Sequence, residues 1–286
     1  PDEFAGQDRE GGPEPRRPHE KQVGGQKDRR DKEDGQQIGP HDDPRQGQHQ
    51  QKVGSRQLPR TRCQRKTYCC SMLPEMTLIE ALAILEQMAA MNSEERLALL
   101  KIISSYFFLN AVRISACPFL DGNTCLVYEI RFFGCRAYGL WSPEHYHRVA
   151  ARSQAAKKYL QQQWQSLNVR LPQEIMDFTV PYCPDVQAVE NVALSDVDLV
   201  EKAAAIESIS LYFSDAHHSF HKNYYADFSF LVAAMHYGRR RAVQIKFDVV
   251  KEIVQTGRSG KLNPLLDEFV DPFKQSEDPL ENLQGD

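Results

Sequence analysis

The sequence lacks several features that would place it in a familiar class of protein. It has no apolar run of about 18 residues, so we expect no membrane-spanning helix. Its first residues do not follow the charged-then-apolar pattern of a secretory signal. Its seven cysteines are odd in number and form no C-x-x-C pair, which argues against a disulfide framework and a zinc ribbon. These absences predict a soluble intracellular protein, cytoplasmic or nuclear, with free thiols.

Common phosphate-binding and nucleophile motifs are also missing. The stretch from Gly257 to Lys261 contains Gly-x-x-Gly-Lys, but a phosphate loop needs Gly-x-x-x-x-Gly-Lys-Ser/Thr between a strand and a helix. The patterns Gly-x-Gly-x-x-Gly and Gly-x-Ser-x-Gly do not occur. We therefore expect no nucleotide site of these types and no bound cofactor.

Large aliphatic side chains are scarce before residue 73. The segment 1–72 is rich in charged residues, glutamine and glycine, so it cannot bury enough apolar surface to offset the entropy of ordering its backbone. We predict that this segment is disordered and dispensable for folding. The apolar remainder predicts one α+β domain over 73–270, with two lobes divided near 168–194 as an alternative. An acidic tail over 271–286 is expected to be frayed.

Capping residues and apolar spacing predict where the helices begin. Thr77 and Glu80 form a capping box, and Asn92 or Ser93 caps a second amphipathic stretch soon after, so the domain should open with an antiparallel helical hairpin. Ser142, followed by proline and glutamate, has the composition of a helix start. Helices are predicted over 76–90, 94–109, 143–167, 196–207 and 248–256.

β-Branched and aromatic residues predict the strands. Strands are predicted over 113–117, 124–133, 135–141, 209–213, 224–236 and 241–247. The last two are expected to form a hairpin around Gly238, with Arg239, Arg240 and Arg241 at its tip. Three cations there can contact phosphate groups of a nucleic acid. The predicted fold is therefore α+β, with antiparallel strands and hairpins covered by packed helices.

A histidine-rich stretch raises the question of a metal. It contains Asp215, His217, His218 and His221, and on a helix His217 and His221 would share one face and could chelate an ion. The composition favours a polar surface loop, where this spacing has no such meaning. Neither a cysteine nor a glutamate is near enough in sequence to complete a ligand set, so no metal site is predicted.

One group of residues resembles a catalytic core. Asp227, Gln244 and Lys246, placed on two strands of a hairpin, resemble the core of restriction-endonuclease-like nucleases, the PD-(D/E)xK superfamily. In a strand, positions 244 and 246 point to the same side. The resemblance implies that Asp227 and position 244 bind Mg²⁺, that Lys246 helps to activate water, and that Glu201 or Glu207 adds an acid from a preceding helix.

The sequence departs from that family at two positions. Gln244 stands where the family usually has an acid, and Ala226 stands where it usually has a proline. No complete catalytic set is present. We therefore expect first a non-catalytic interaction or regulatory protein that acts through contacts with an unknown protein partner. The alternatives are nucleic-acid contact at the basic hairpin and a Mg²⁺-dependent nuclease.

Overall fold

The computed structural model describes residues 58–59, 61–62, 66–189 and 194–274. Most of the segment predicted to be disordered, 1–72, lies outside these residues, as does the predicted tail from 275 onwards. Within the described part of the chain, no helix is both long enough and apolar enough to cross a membrane.

The described residues are mainly helical. The α-helices are α1 Leu78–Ala89, α2 Ser93–Leu109, α3 Phe133–Ala137, α4 Pro143–Ser166, α5 Gln173–Asp177, α6 Asp196–Ser210, α7 Ser214–Tyr224, α8 Phe228–Tyr237, α9 Arg239–Thr256 and α10 Leu262–Asp267. Two pairs of two-residue strands are antiparallel: β1 Thr61–Arg62 with β4 Gln187–Ala188, and β2 Leu120–Asp121 with β3 Thr124–Cys125. The coarse α+β class is confirmed, with helices far outweighing strands.

Side-chain caps fix the starts of α1, α2, α4 and α6. Thr77 and Glu80 form the predicted capping box of α1. The Asn92 side chain accepts hydrogen bonds from two backbone N–H groups of α2, and Ser142 and Ser195 cap α4 and α6. Each cap satisfies backbone donors that would otherwise have no partner in the first turn. The helix starts predicted at these four places in the sequence are therefore confirmed.

The longer predicted strands are wrong. The ranges 224–236 and 241–247 fall mainly in α8 and α9, and 209–213 covers the end of α6 and a 3₁₀ turn. The range 124–133 contains only the two-residue strand β3, followed by a 3₁₀ turn. The range 135–141 begins inside α3, and 113–117 contains no strand. The physical reason is clearest in α8, where every residue over 228–234 is buried. A helix buried on all sides shows no 3.6-residue alternation, so its short apolar run has the same composition as a buried strand.

The main neighbours of the first two helices are different. Helix α1 packs on α6 and α7, whereas α2 packs on α8, α9 and α10. Their buried side chains belong to one hydrophobic core, which also includes Val169 and Leu171 from the proline-rich stretch 168–194. Direct packing of α1 on α2, as the predicted hairpin requires, stays a prediction.

The packed part of the chain extends past the predicted boundary at 270. Asp271 and Pro272 are buried, and the Asp271 carboxylate pairs with the buried Arg96 guanidinium. At the other end, β1 pairs with β4 and Lys66 forms an ion pair with Asp185, so parts of 61–72 also contact the rest of the chain.

A buried carboxyl group lies at the start of α1. Glu80 is 3% exposed, and its Oε1 accepts a hydrogen bond of 2.5 Å from the backbone N–H of Phe133. Its Oε2 accepts from the backbone N–H and the hydroxyl of Thr77. Burial raises the pKa of Glu80 above its ordinary value, although these hydrogen bonds act against the shift.

We expect Glu80→Gln to remove one component of the pH dependence of stability. With a raised folded-state pKa, the native protein retains this proton to higher pH than the unfolded chain does. Stability from this group is therefore complete below the unfolded-state pKa of about 4.3 and is lost as pH rises through the folded-state pKa. Urea denaturation of both proteins across a pH series measures the effect. Parallel curves for wild type and Glu80→Gln would contradict it.

Candidate functional site

A pocket of about 720 Å³ lies between α2, α4, α8 and α9. This volume is within the range of about 300–1,000 Å³ that is typical of small-molecule sites. Most of its wall is aromatic or aliphatic. Its larger apolar side chains are Phe107, Ile114, Leu160, Trp164, Phe178 and Phe230. We call this cavity the Lys246 pocket, after the cation described next.

Lys246 brings its ammonium group from α9 into the pocket wall. Its Nζ donates a hydrogen bond of 2.8 Å to Asn110 Oδ1 and lies 4.1 Å from the centroid of the Phe107 ring. Burial lowers the pKa of Lys246 to about 8, and the nearby Asp227 carboxylate opposes this shift. The pocket wall therefore contains a half-buried cation with an aromatic ring beside it.

Asp227 has a structural role beside the pocket. Its Oδ1 accepts hydrogen bonds from the Ser229 backbone N–H at 2.8 Å, the Ser229 hydroxyl at 2.6 Å and the Phe230 backbone N–H at 3.1 Å. It is thus the N-cap of α8, where a negative charge is favourable. Tyr225 and Ala226, just before it, have φ values of 54° and 53°, a left-handed conformation that is strained for residues other than glycine.

The strand hairpin behind the nuclease resemblance is wrong. Asp227 and Lys246 do border one pocket, but positions 244 and 246 are two apart on a helix and therefore lie on different faces. Gln244 is exposed and donates to Asp248, and the exposed Glu201 on α6 does not line the pocket. The strand geometry by which the resemblance would assemble a magnesium site from Asp227, Gln244 and Lys246 is therefore not present in the described residues, and the nuclease alternative itself stays a prediction.

The three arginines lie in the first turn of a helix and not at a hairpin tip. Arg239, Arg240 and Arg241 begin α9 directly after Gly238. Arg240 and Arg241 are exposed, and no carboxylate of the described residues forms an ion pair with any of the three. Cations at this end of a helix are unfavourably placed relative to the helix dipole. Their contact with phosphate groups stays a prediction.

A second group of polar side chains lies at the bend between α6 and α7. His217 and His221 belong to a helix and not to the predicted loop. Glu207 of α6 completes the group: its Oε1 lies 2.6 Å from His217 Nε2 and 3.3 Å from His221 Nε2. The expectation that no glutamate completes this set is therefore wrong. Asp215 and His218 are not part of the group.

A smaller cavity of about 270 Å³ is lined by thiols. Its cysteines are Cys69, Cys70, Cys117, Cys125 and Cys135. The Sγ atoms of Cys69 and Cys70 lie 3.7 Å apart, and their hydrogen bond, helped by the charge of Arg131, lowers the pKa of Cys69 to about 7. Burial raises the pKa of Cys117 to about 12, so Cys69 is the thiol here that ionises near neutral pH.

Sequence reasoning singled out Lys246 but missed its environment. Asn110 is 136 positions away from Lys246, and only the packing of α2 on α9 brings the two side chains together. Glu207 was considered only as an acid for a nuclease, because no sequence signal shows that α6 and α7 bend toward each other at this point.

Comparisons with protein-family models, curated proteins and solved structures found no significant match to this chain.

Proposed function

We propose that this protein is a non-catalytic regulatory protein that responds to a ligand bound in the Lys246 pocket. The expected ligand is an amphipathic carboxylate, with its apolar part against the aromatic wall and its charge on Lys246. The single observation that supports this proposal is the half-buried Lys246 ammonium, with a pKa that burial lowers to about 8, in a largely apolar pocket of about 720 Å³.

The chemistry of Lys246 favours an anion. An ammonium group has three donor hydrogens, and Asn110 Oδ1 is its hydrogen-bond acceptor among the described residues. Burial of a cation is unfavourable unless it is paired, and a ligand carboxylate would form a charge-assisted hydrogen bond with it. The shape and apolarity of the wall provide affinity, while the cation selects the charge of the ligand.

Three of the other polar groups that line the pocket favour binding over acid–base chemistry. Asp227 caps α8, and Lys157 Nζ donates to the backbone carbonyls of Ile175 and Phe178. The Tyr106 hydroxyl accepts a hydrogen bond of 2.9 Å from the backbone N–H of Leu73. Because these groups already have structural partners, they are poorly placed to exchange protons with a substrate.

The rim of the pocket supports a regulatory role. Tyr225 is 73% exposed, and together with the buried Ala226 it forms the strained link between α7 and α8. Left-handed residues of this kind cluster at ligand sites and switch regions and cost roughly 1–3 kcal/mol each. A ligand that contacts this link would change the balance of its conformations and, through them, the surface that a protein partner meets.

Binding can be measured with the protein's own fluorescence. Trp164 lines the pocket, and Trp141→Phe leaves it as the single tryptophan of the chain. We expect decanoate to change the Trp164 emission saturably and to bind more tightly than the neutral decanol. Lys246→Met should weaken decanoate binding by about 10- to 100-fold, because a hydrogen bond to a charged group contributes roughly 1.5–3 kcal/mol.

Decanol provides the internal comparison, since Lys246→Met should leave its affinity nearly unchanged. Lys251→Met is the matched control, because Lys251 is an exposed lysine of the same helix. Equal decanoate affinity in Lys246→Met and Lys251→Met would refute the proposed role of the cation. Absence of any saturable signal with either probe would refute the pocket as a site for this class of ligand.

A further inference from the structure

We propose that Glu207, His217 and His221 bind one divalent transition-metal ion, and that this ion is zinc. The site is separate from the Lys246 pocket and does not depend on the function proposed for it. It lies where α6 ends and α7 begins.

The donor atoms already converge on one point. One carboxylate oxygen of Glu207 lies 2.6 Å from His217 Nε2 and 3.3 Å from His221 Nε2. The three ligand atoms all lie within 4.8 Å of one another. A tetrahedral zinc ion with bonds of about 2.0–2.1 Å keeps its ligand atoms roughly 3.3 Å apart. To admit the ion, the distance between Glu207 Oε1 and His217 Nε2 must lengthen from 2.6 Å to about 3.3 Å.

The backbone explains why these three side chains meet. His217 and His221 are four residues apart on α7, so they lie one above the other on one face of the helix. Glu207 is in the last turn of α6, and the 3₁₀ turn Leu211–Phe213 redirects the chain so that this face of α7 meets it. The imidazole centroids of the two histidines are 4.5 Å apart, close enough for both to reach one ion.

The ligand types select the metal. Two imidazoles and one carboxylate suit zinc and its neighbours among the first-row divalent ions, whereas magnesium and calcium prefer oxygen ligands alone. A zinc ion with three protein ligands keeps a fourth position for water or for another ligand. The side chains of Glu207, His217 and His221 are 35%, 20% and 43% exposed, which leaves a path for the ion and room for that water.

Metal binding here would join two helices that pack on α1. Both α6 and α7 contact α1, so an ion at their bend would hold them in one relative orientation. An ion that binds the folded state and not the unfolded chain stabilises the protein in proportion to its affinity. We therefore expect zinc to raise the melting temperature, and the increase should depend on Glu207, His217 and His221.

Calorimetric titration of the metal-free full chain with zinc chloride tests the proposal. We expect wild type to bind zinc at one site. His217→Ala and His221→Ala should each lower the zinc affinity of that site by about 100-fold or more. Loss of a ligand should have at least this effect, because even residues outside the ligand set change metal affinity by about 10- to 100-fold. Glu207→Gln retains a hydrogen-bonding group and should weaken binding as well. His218→Ala is the matched control, since it removes a neighbouring imidazole outside the group and should bind zinc as wild type does.

Thiols are the competing zinc ligands, so cobalt(II) serves as a second probe. Cobalt bound by nitrogen and oxygen ligands shows weak visible absorption, whereas thiolate ligands add an intense near-ultraviolet band. Weak visible absorption that disappears in His217→Ala and His221→Ala is the expected result. A thiolate band, retained binding in both variants, or no binding by wild type would each overturn the proposal. Circular dichroism of each variant confirms that lost binding does not reflect unfolding.

Discussion

Replacing Asp271 with alanine should destabilise the protein by about 3–5 kcal/mol, because it leaves the Arg96 guanidinium buried without its carboxylate. The two side chains are 10% and 1% exposed, and Arg96 Nη2 lies 2.7 Å from Asp271 Oδ2. The Nε of Arg96 donates to the same oxygen at 3.0 Å. The variant leaves the Arg96 guanidinium buried without a counter-charge, and the cost of that unpaired charge falls on the folded state.

Arg96 also holds the end of another helix. Its Nη1 donates to the backbone carbonyls of Ala89 and Met91 at 3.1 and 2.9 Å. These carbonyls at the end of α1 would otherwise lack a hydrogen-bond donor. Asp271 thus fixes the orientation of a side chain that connects α1, α2 and the end of the described chain. This connection explains why the mutation should act on global stability and not only on the residues after 270.

Urea denaturation measures the effect, and two variants sharpen it. Asp267→Ala removes an exposed carboxylate nearby and should change stability by no more than about 0.5 kcal/mol. The double variant Arg96→Met with Asp271→Leu should be more stable than Asp271→Ala, because replacing both partners leaves no buried charge. A denaturation midpoint for Asp271→Ala equal to that of wild type would show that the pair does not form in solution.

The structural features that could be predicted from the sequence are those that depend on interactions between residues a few positions apart. Ser142 and Asn92 mark helix starts because a cap bonds to backbone groups only two or three positions away. Pairs such as Arg96 with Asp271 are 175 positions apart and depend on the packing of the whole domain. No local pattern distinguishes them from exposed charges, and the sequence therefore predicts that Asp271 belongs to a frayed tail.

The same difference between local and long-range interactions explains which parts of the candidate sites could be predicted. His217 and His221 were recognised through their spacing, but the spacing has meaning only on a helix, and the surrounding polar residues favoured a loop. Lys246 was singled out for a strand geometry that does not occur, yet it lines a pocket with Asp227. Residue type and spacing therefore identify His217, His221 and Lys246 as candidate site residues. The residues that contact them are set by the packing of helices and cannot be predicted from local sequence.

Phe228→Ala should destabilise the protein by about 3–5 kcal/mol, because it removes an aromatic ring from a fully buried position. Phe228 is the first residue of α8, and its ring centroid lies 5.9 Å from that of Phe119, which in turn lies 6.0 Å from that of Phe132. This row of rings joins α8 to the segment before α3. Loss of the Phe228 ring leaves a cavity at the α8 end of this row and removes the packing of Phe119 on that side.

Matched variants separate the cavity from the chemistry of the ring. Phe228→Leu retains most of the apolar volume, so it should cost less than alanine, about 1.5 kcal/mol or less if the core adjusts. Tyr212→Ala removes an aromatic side chain that is 71% exposed, and it should change stability by no more than about 0.5 kcal/mol. Guanidinium denaturation of the three variants should therefore rank them in the order Phe228→Ala, Phe228→Leu, Tyr212→Ala. If Phe228→Ala were no less stable than Tyr212→Ala, the Phe228 ring could not be packed against Phe119 in the core.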